Sequence, residues 1–504
     1  GLYRGIRKGQ KAADVLGQLL ERPEVQADAA RAGKLHFTLG ELYRDEIKEP
    51  DRALAEFEKA LDRSPRLVQA FSAVEALLTA QKRWNDLEQA YVRMIHRLPK
   101  GPEAQAARLA LWKTLGELYR RVLQNPEGAR MAYEVVLKAE PEDAGALEVF
   151  ADLSAQKPGE EGKAVEAYRQ LLKAGGSAQK AISALVGLHA ARQEFDQAYG
   201  AAQALAHLLG AASAEELQVV SRLRRFARAQ ASRKLDDTLW RERVFHEKVR
   251  GPLAEIMRVL SREAGALFAQ SFKDLGLNPK RDEIDVAGSM LFFVNMYKYV
   301  ARTLGLEGLR LFKSERAEGR LHLVATDPPA LVAGEEMFRE RPKKELWFSI
   351  AKAMAFARPE LRPARLMPHD QLEVVFQAAC SLGTSRFVVT ADPHLVEKLK
   401  HQMEKALPEK TRTQTLKQLA RMYCDVQHPG DVRAYMDGAE LTSNRVAALL
   451  AGDMEIVKRM VVSEKAQVSK LRDEAKLKDL VLFAVSDDYA ALREQLGLSV
   501  VVKG

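Results

Sequence analysis

Cysteine is nearly absent from this chain. Cys380 and Cys424 are the only two in 504 residues, and they lie in separate segments without a C-x-x-C spacing. A framework of several disulfides is therefore excluded. Two isolated thiols suit a reducing compartment, so a cytoplasmic location is expected. The chain opens at Gly1 without an initiator Met, so the question of an upstream signal or anchor stays open.

Long apolar runs are also missing. Among the longest is the six-residue run Leu480 to Val485, whereas a helix that spans a bilayer needs about 20 apolar residues. No membrane span is expected. The remaining composition, 47% hydrophobic and 29% charged residues, is that of an ordinary globular protein. A chain of this length has room for two to four domains.

Motifs that carry catalysis are missing too. The chain has no phosphate-binding G-x-x-x-x-G-K-[ST] loop, no G-x-G-x-x-G after a strand, no G-x-S-x-G turn and no H-x-x-x-H pair. The ten histidines are scattered. His394 and His401 share a predicted helix face, but without further ligands they are interpreted as exposed, and Cys380 as a core residue. We therefore predict no catalytic residue, no metal and no cofactor.

Charge is uneven in one place. The formal net charge is +9, and the stretch from 222 to 234 contains six cations and no acid: Arg222, Arg224, Arg225, Arg228, Arg233 and Lys234. Such a stretch can bind nucleic acid, usually together with aromatic residues that stack on bases. Only Phe226 is nearby, so the pattern favours a solvated face of a basic helix, and a nucleic-acid partner is not expected.

Internal repetition is the strongest signal present. The pattern A-x3-F/Y-x2-A-L-x3-P can be placed five times, with its second position at Phe57, Tyr91, Tyr133, Tyr168 and, more weakly, Ala202. The intervals are 34, 42, 35 and 34 residues. This period resembles that of the tetratricopeptide repeat, a helix-turn-helix unit of 34 residues. The resemblance implies stacked helical hairpins over about residues 30 to 215 and a protein or peptide as partner.

The repeat positions are predicted to be packing residues rather than ligand contacts. Small residues let paired helices approach, aromatic residues fill the space between hairpins, and proline or glycine ends the second helix. The long 42-residue interval predicts longer helices or a longer loop around residues 100 to 110. The packing positions that we single out are Ala53, Phe57, Tyr91, Ala129, Tyr133, Ala164 and Tyr168.

The C-terminal half is predicted to combine helices with a small sheet. Residues 309–314 and 321–325 alternate around a polar turn and predict a hairpin. Residues 326–334 predict a further strand, which two prolines would place at an edge. Helices are predicted over 343–358, 369–382, 393–403, 411–423, 432–462 with an interruption, and 465–483.

Three phrases in this half resemble zincin metallopeptidases of the family that includes the CAAX prenyl proteases. They are PPALVAGEEMF from Pro328, ELWFSIAKAMAF from Glu345, and ELTSNRVAALLAGD from Glu440. The resemblance spans Leu309 to about Asp479. It implies a zincin-like α+β domain after the repeats, with expected boundaries at 1–220 for the array, 221–305 for a helical connector and 306–504 for the domain.

The metal-binding motif of that family is missing. The resemblance places Lys352 and Phe356 at the two histidine ligands and Ala353 at the general-base glutamate. Glu440 stands at the third-ligand position and Asn444 at the position of an aspartate. An ammonium repels a dication and alanine accepts no proton, so the site is degenerate. Glu440 is interpreted as an exposed or capping residue.

The leading hypothesis is a non-catalytic adaptor, with the repeats binding a peptide or protein surface and the zincin-like domain as a second docking surface. A second hypothesis is an enzyme that uses Lys352 as a base. A third is nucleic-acid binding through the basic stretch.

Overall fold

The computed structural model describes residues 2–317, 320–426, 430–464 and 468–502. The architecture is mainly α-helical with one small three-stranded sheet. Two compact units divide the chain, the first ending at Ala178 and the second beginning at Gln179. The boundary predicted from the sequence lies instead at residue 220, with a separate connector after it.

The first unit is an array of helices. Its ten helices are α1 Leu2–Leu20, α2 Pro23–Ala27, α3 Ala29–Leu42, α4 Pro50–Arg63, α5 Val68–Ala80, α6 Trp84–Arg97, α7 Gln105–Arg121, α8 Pro126–Ala139, α9 Ala144–Ala155 and α10 Glu161–Lys173. A π-helical turn over Tyr43–Ile47 extends α3, and a 3-10 turn over Pro102–Ala104 precedes α7.

From α3 onward these helices pair into four antiparallel-type hairpins, whose first helix we call A and whose second we call B. Helices α3 with α4, α5 with α6, α7 with α8, and α9 with α10 are in contact, and the B helices α4, α6 and α8 each contact the A helix of the next hairpin. Proline sets the boundaries. Pro50 and Pro126 occupy first positions of B helices, where no backbone donor is needed. Pro65 and Pro141 follow shortly after B helices end.

The long repeat interval has two structural causes. An extra segment with the 3-10 turn Pro102–Ala104 separates α6 from α7, and α7 itself has 17 residues against 13 in α5. Both the longer loop and the longer helix that the sequence predicted therefore occur.

The second unit contains the remaining helices. They are α11 Ala178–Ala191, which begins on the last residue of the first unit, α12 Phe195–Gln203, α13 Ala214–Arg224, α14 Asp237–Leu239, α15 Pro252–Glu263, α16 Pro279–Asp282, α17 Phe292–Leu304, α18 Lys343–Ala355, α19 Arg362–Leu366, α20 His369–Gly383, α21 Pro393–Ala406, α22 Lys417–Asp425, α23 Val432–Ala451, α24 Met454–Ser463, α25 Asp473–Ala484 and α26 Asp487–Leu496. Three π-helical segments adjoin them, at Ala204–Leu209, Trp240–Val244 and Thr411–Leu416.

The fifth repeat, α11 and α12, belongs to this second unit. Helix α12 contacts α25 and α26, and a Cβ on Gly200 would lie 2.9 Å from the carbonyl oxygen of Ala484. Gly200 therefore serves a close contact between α12 and the C-terminal end of α25.

Residues 221–305 are part of the second unit's core rather than a connector. Trp240 is fully buried and its indole nitrogen donates to the carbonyl of Leu304 at 3.2 Å. The backbone nitrogen of His246 donates to Thr442 Oγ1 at 2.9 Å, which ties this segment to α23.

The sheet differs from its prediction. Its strands are β1 Arg310–Lys313, β2 Leu321–Val324 and β3 Ala330–Ala333, in the order β1-β3-β2. Strand β3 pairs in parallel with β1 and antiparallel with β2. The predicted hairpin of the first two strands is therefore wrong, and so is the predicted edge position of the third. Both prolines precede Ala330, so they leave the ladder of β3 free to pair on both sides.

The helices of the C-terminal half start and end close to their predictions, and residues 452–453 separate α23 from α24 as the predicted interruption. Three ends differ: α18 ends at Ala355, three residues early, α21 ends at Ala406, three residues late, and the third is the start of α25. Helix α25 begins at Asp473 rather than at 465; residues 465–467 lie outside the described part of the chain, as do residues 318–319 of the predicted polar turn.

Among the described residues, no helix combines the length and apolar character that crossing a bilayer requires.

Candidate functional site

The repeat positions pack inside individual hairpins. A Cβ on Gly40 of α3 would lie 2.6 Å from the ring of Phe57 in α4, and one on Gly116 of α7 would lie 2.8 Å from the ring of Tyr133 in α8. The aromatic side chain therefore lies on a glycine of its own A helix, rather than only between neighbouring hairpins as predicted. The packing positions are all buried: Ala53, Phe57, Tyr91, Ala129, Tyr133, Ala164 and Tyr168.

Sequence reasoning missed a hydrogen bond that recurs in three hairpins. Each B-helix tyrosine donates to a carboxylate 16 residues earlier on its A helix: Tyr91 to Glu75 at 2.5 Å, Tyr133 to Glu117 at 2.7 Å, and Tyr168 to Asp152 at 2.6 Å. Burial, aided by these carboxylates, raises the pKa of each tyrosine. An acid at that fixed offset was the signal in the sequence, and its role is to satisfy the buried hydroxyl.

In the second unit, two of the predicted degenerate-site residues meet directly. Helices α18 and α23 pack against each other, and the Lys352 ammonium of α18 donates to Glu440 of α23 at 2.7 Å. Lys352 also pairs with Glu464, at the C-terminal end of α24. The phrases that begin at Glu345 and Glu440 therefore lie on neighbouring helices, although they are far apart in sequence.

Helix α18 is held by apolar packing on nearly all sides. Trp347, Phe348, Ile350 and Met354 are each at most 2% exposed, and β2 contacts the same helix. A helix that is apolar all round is buried in a core. The backbone that carries Lys352 is therefore fixed from several directions.

Glu440 is not the exposed or capping residue that the sequence suggested. Its exposed fraction is 0%, because α23 is the central helix of the unit and contacts α18, α20, α24 and α25. Burial opposes ionisation, but the Lys352 charge and hydrogen bonds from Lys352 and the Val468 backbone hold the pKa of Glu440 below its ordinary value. At Glu464, burial and the neighbouring Glu440 outweigh Lys352 and raise the pKa.

A cavity of about 300 Å³ opens beside this pair. Lys352, Ala353, Phe356 and Glu440 all line it, so four of the five predicted positions surround one space. Asn444, one helical turn beyond Glu440, is fully buried, and neither of its side-chain polar atoms finds a hydrogen-bond partner among the described residues.

The donor set does not fit the zinc ion that the resemblance implies. Zinc in such peptidases needs nitrogen ligands at both ends of the i, i+4 pair and a carboxylate base between them. Lys352 presents a cation, Phe356 offers no lone pair and Ala353 accepts no proton. Within the described ranges, no group of three His, Cys, Asp or Glu side chains is placed to hold a metal.

The basic stretch is only partly helical. Helix α13 ends at Arg224, and residues 225–235 continue as turns, so the predicted basic helix over 222–234 is wrong. All six cations are exposed. Arg224 lies 3.3 Å from the Asp453 carboxylate and Arg225 stacks over Phe226, with 4.8 Å between guanidinium and ring centre.

A second buried ion pair went unnoticed in the sequence. The Arg493 guanidinium of α26 is 3% exposed and donates to both carboxylate oxygens of Asp196 on α12, at 3.0 to 3.2 Å. The Val500 backbone nitrogen also donates to Asp196, at 2.8 Å. No local sequence pattern could predict this ion pair, because Asp196 and Arg493 are separated by almost 300 residues.

Comparison with known proteins adds little beyond this geometry. No family model matches the chain, and no curated protein matches it. A solved structure described as a functional characterization of Pseudomonas Aeruginosa pilF matches over 43% of this chain and 99% of that chain, with 19% identity and a TM-score of 0.24. A likeness this weak carries no argument, so the helical repeat described above rests on the hairpins of this chain itself.

Proposed function

We propose that this chain is a non-catalytic scaffold for protein–protein interaction. In this proposal the helical repeats bind a peptide or protein surface, and the second unit contains a metallopeptidase-like domain without zinc that serves as a second docking surface. The observation that carries the proposal is the buried ion pair between Lys352 and Glu440, 2.7 Å apart.

The ion pair supports the peptidase-like ancestry in a specific way. The resemblance implies that position 352 and position 440 bind one metal ion, which requires their side chains to converge. They do converge, and the Lys352 ammonium supplies positive charge beside Glu440 where the ancestral site would hold a dication. A carboxylate kept from a metal site and paired with lysine is what loss of the metal would leave behind.

The repeats supply the protein-binding part of the proposal. In a stack of hairpins, each hairpin buries the side that faces its neighbours. The side that stays exposed forms an extended surface on which equivalent positions of successive hairpins recur. Thr38 of α3 and Thr114 of α7 are such a pair, because each is exposed, precedes its A-helix glycine by two residues and donates to the carbonyl four residues earlier. A periodic row of this kind suits an extended peptide or a protein surface.

Metal analysis and activity test the second unit. Purified full-length protein is expected to contain far less than one zinc per chain and to leave casein uncleaved. Stoichiometric zinc together with peptidase activity would overturn the proposal.

A restored motif gives a sharper test of the ancestry. The triple variant Lys352→His, Ala353→Glu and Phe356→His recreates H-E-x-x-H on α18 with Glu440 as third ligand. If the resemblance is right, the variant binds about one zinc per chain while the wild type does not. Circular dichroism establishes that the variant is folded; a folded variant that fails to bind zinc contradicts the proposed ancestry.

Site-specific crosslinking tests the repeat half. A photo-reactive amino acid at Thr38 or at Thr114 is expected to capture one and the same protein in the native cell. The matched controls are the exposed B-helix positions Lys59 and Lys138, which should not capture it. Different proteins at the two test positions, or equal capture at the controls, would contradict a binding row on the A helices.

An enzyme that uses Lys352 is the second candidate, because Lys352 is buried at 6% exposure and lines a cavity. Against it, Glu440 and Glu464 both accept hydrogen bonds from its ammonium, an arrangement that suits a structural cation. Trapping of a carbonyl probe with borohydride separates the two: a reduced adduct at Lys352 favours the enzyme.

A further inference from the structure

The cavity beside Lys352 has an excess of positive charge. Among its described lining residues, the cations are Lys352, Arg320, Arg341 and Arg365, and the carboxylates are Glu440 and Glu464. Lys352 is paired with both carboxylates. Arg341 pairs at 3.8 Å with Glu336, which is not among the lining residues. Arg365 has neither lining carboxylate as a partner, since both pair with Lys352.

Arg365 is the cation best placed to bind a ligand. It lies on α19, is partly buried, and its guanidinium stands 5.9 Å from the ring centre of Phe356. Within the described part of the chain, no carboxylate lies within ion-pair distance of it. Burial lowers the pKa of Arg365, although the charges of Glu440 and Glu464 oppose this, so the positive charge is costly at this position. An anion in the cavity would relieve that cost.

Two further features define the ligand. His322 of β2 also lines the cavity, and burial together with the charges of Arg365 and Arg320 lowers its pKa, so it stays neutral and can both donate and accept a hydrogen bond. The rest of the lining is largely apolar, with Phe348, Phe356 and Met460 among its members. A volume of about 300 Å³ suits a small molecule.

We propose that this cavity binds a small amphiphilic anion: a carboxylate or phosphate group opposite Arg365 and His322, with an apolar body against Phe356, Phe348 and Met460. This proposal does not depend on the scaffold function or on a peptidase ancestry, because it is inferred only from the side chains that line the cavity and their charges. It gives the second unit a ligand-binding role that neither proposal above contains.

Calorimetric titration of the full-length protein tests this site with four probes: hexanoate, hexyl phosphate, hexanamide and inorganic phosphate. At least one of the two amphiphilic anions should bind saturably, and which of them binds more tightly tells whether the site prefers carboxylate or phosphate. Hexanamide, which has the same apolar chain without charge, should bind about ten-fold more weakly or not at all. Inorganic phosphate should also bind more weakly than hexyl phosphate, because it lacks the apolar body.

Variants locate the site. Arg365→Gln should weaken binding of the preferred anion about ten-fold or more, since it removes the unpaired charge and keeps a polar side chain. The control Arg281→Gln changes an exposed arginine that is paired with Asp282 outside the cavity, and it should leave binding unchanged.

Three results would overturn the proposal: no saturable binding of either amphiphilic anion, equal binding of hexanamide, or an unchanged affinity in a folded Arg365→Gln protein. If that variant fails to fold, the comparison of hexanoate and hexyl phosphate with hexanamide on the wild type still decides. Zinc content plays no part in any of these outcomes, so failure here is distinguishable from failure of the proposed function.

Discussion

Two charged side chains of the second unit are almost completely buried. Lys352 is 6% exposed and Glu440 is 0% exposed, and each compensates the cost of burying the other. Removing one partner of such a pair leaves an uncompensated buried charge, which is costlier than removing both. The pair is therefore best studied as a unit.

Lys352→Met should lower the free energy of unfolding by about 3–5 kcal/mol, because Glu440 keeps a buried charge without its cation. The double variant Lys352→Met with Glu440→Gln should recover part of that loss. Denaturant unfolding followed by circular dichroism measures both. The control Lys400→Met, in an exposed pair with Glu397, should change stability by less than about 1 kcal/mol. If Lys352→Met changed the free energy of unfolding as little as Lys400→Met does, the description of Lys352 and Glu440 as a buried ion pair would be wrong.

His246 makes stability depend on pH. Burial is the main reason that its pKa falls from 6.5 to about 4, with Arg445 and Lys248 lowering it further and Asp479 and Glu247 opposing. In the unfolded chain the imidazole regains its ordinary pKa and takes up a proton first as pH falls. The stabilisation is therefore complete above pH 6.5 and is lost progressively as pH falls to about 4, up to about 3 kcal/mol.

The variant His246→Asn isolates this effect. Asparagine can accept the hydrogen bond that the Lys248 backbone nitrogen donates to Nδ1, but it does not titrate. We expect the stability of wild type minus that of the variant to fall between pH 6.5 and 4. Carboxylates that titrate in the same range act in both proteins and cancel in the difference. A flat difference would mean that the pKa of His246 is the same in the folded and the unfolded chain.

At the scale of elements, the repeat hairpin depends on a glycine under an aromatic ring. Gly116 allows Tyr133 to lie directly on the A-helix backbone, and Gly40 does the same for Phe57. Because these contacts are closer than a Cβ permits, the ring position and the helix separation are coupled. The aromatic position was predictable, since the repeat pattern contains it, whereas the pattern does not include the A-helix glycine.

Gly116→Ala should destabilise the first unit by about 1–3 kcal/mol, because the new methyl group would meet the Tyr133 ring at 2.8 Å. Gly17→Ala in α1 is the matched control. Nothing lies within 4 Å of a Cβ there, so the same substitution should stabilise that helix by up to about 1 kcal/mol. Thermal melting should show a lower Tm for Gly116→Ala and an unchanged or higher Tm for Gly17→Ala. Equal Tm shifts in the two variants would show that the Tyr133 ring moves away from the added methyl group.

The strand order of the sheet could not be predicted from the sequence. The sequence located all three strands near their actual positions, the first two by alternation, but the hairpin that it predicted for those two was wrong. Strand β3 is buried at every residue, whereas β1 and β2 each have partly exposed positions. A strand covered on both faces and paired on both sides belongs at the centre, so burial, which is a tertiary property, decided the order.

At the scale of the whole molecule, the division near residue 178 assigns the fifth hairpin to the second unit. Asp196 and Gly200 of α12 contact α25 and α26, which lie close to the C-terminus. The repeat pattern alone grouped this hairpin with the other four. Its glycine, Gly200, is explained by the close contact with the carbonyl oxygen of Ala484 in α25.

A truncation test follows from that assignment. A chain of residues 179–504 should fold, whereas 221–504 should not, because it lacks Asp196 and leaves the buried Arg493 without its carboxylate. Solubility and the near-ultraviolet circular dichroism spectrum report the difference. In the full-length chain, Asp196→Asn should lower stability by about 3–5 kcal/mol for the same reason. Equal folding of both fragments would restore the boundary at residue 220.

The sequence by itself determined the helices, the repeat period, the packing role of the repeat aromatics and the absence of the H-E-x-x-H motif, because each depends on neighbours within one or two helical turns or on one repeat unit. Only the tertiary structure decided the partner of Glu440, the strand order and the unit to which the fifth hairpin belongs. Lys352 and Glu440 lie 88 positions apart and Asp196 and Arg493 lie 297 apart. Contacts at such separations leave no periodic trace in a single sequence, since they arise only when distant elements bury their faces together.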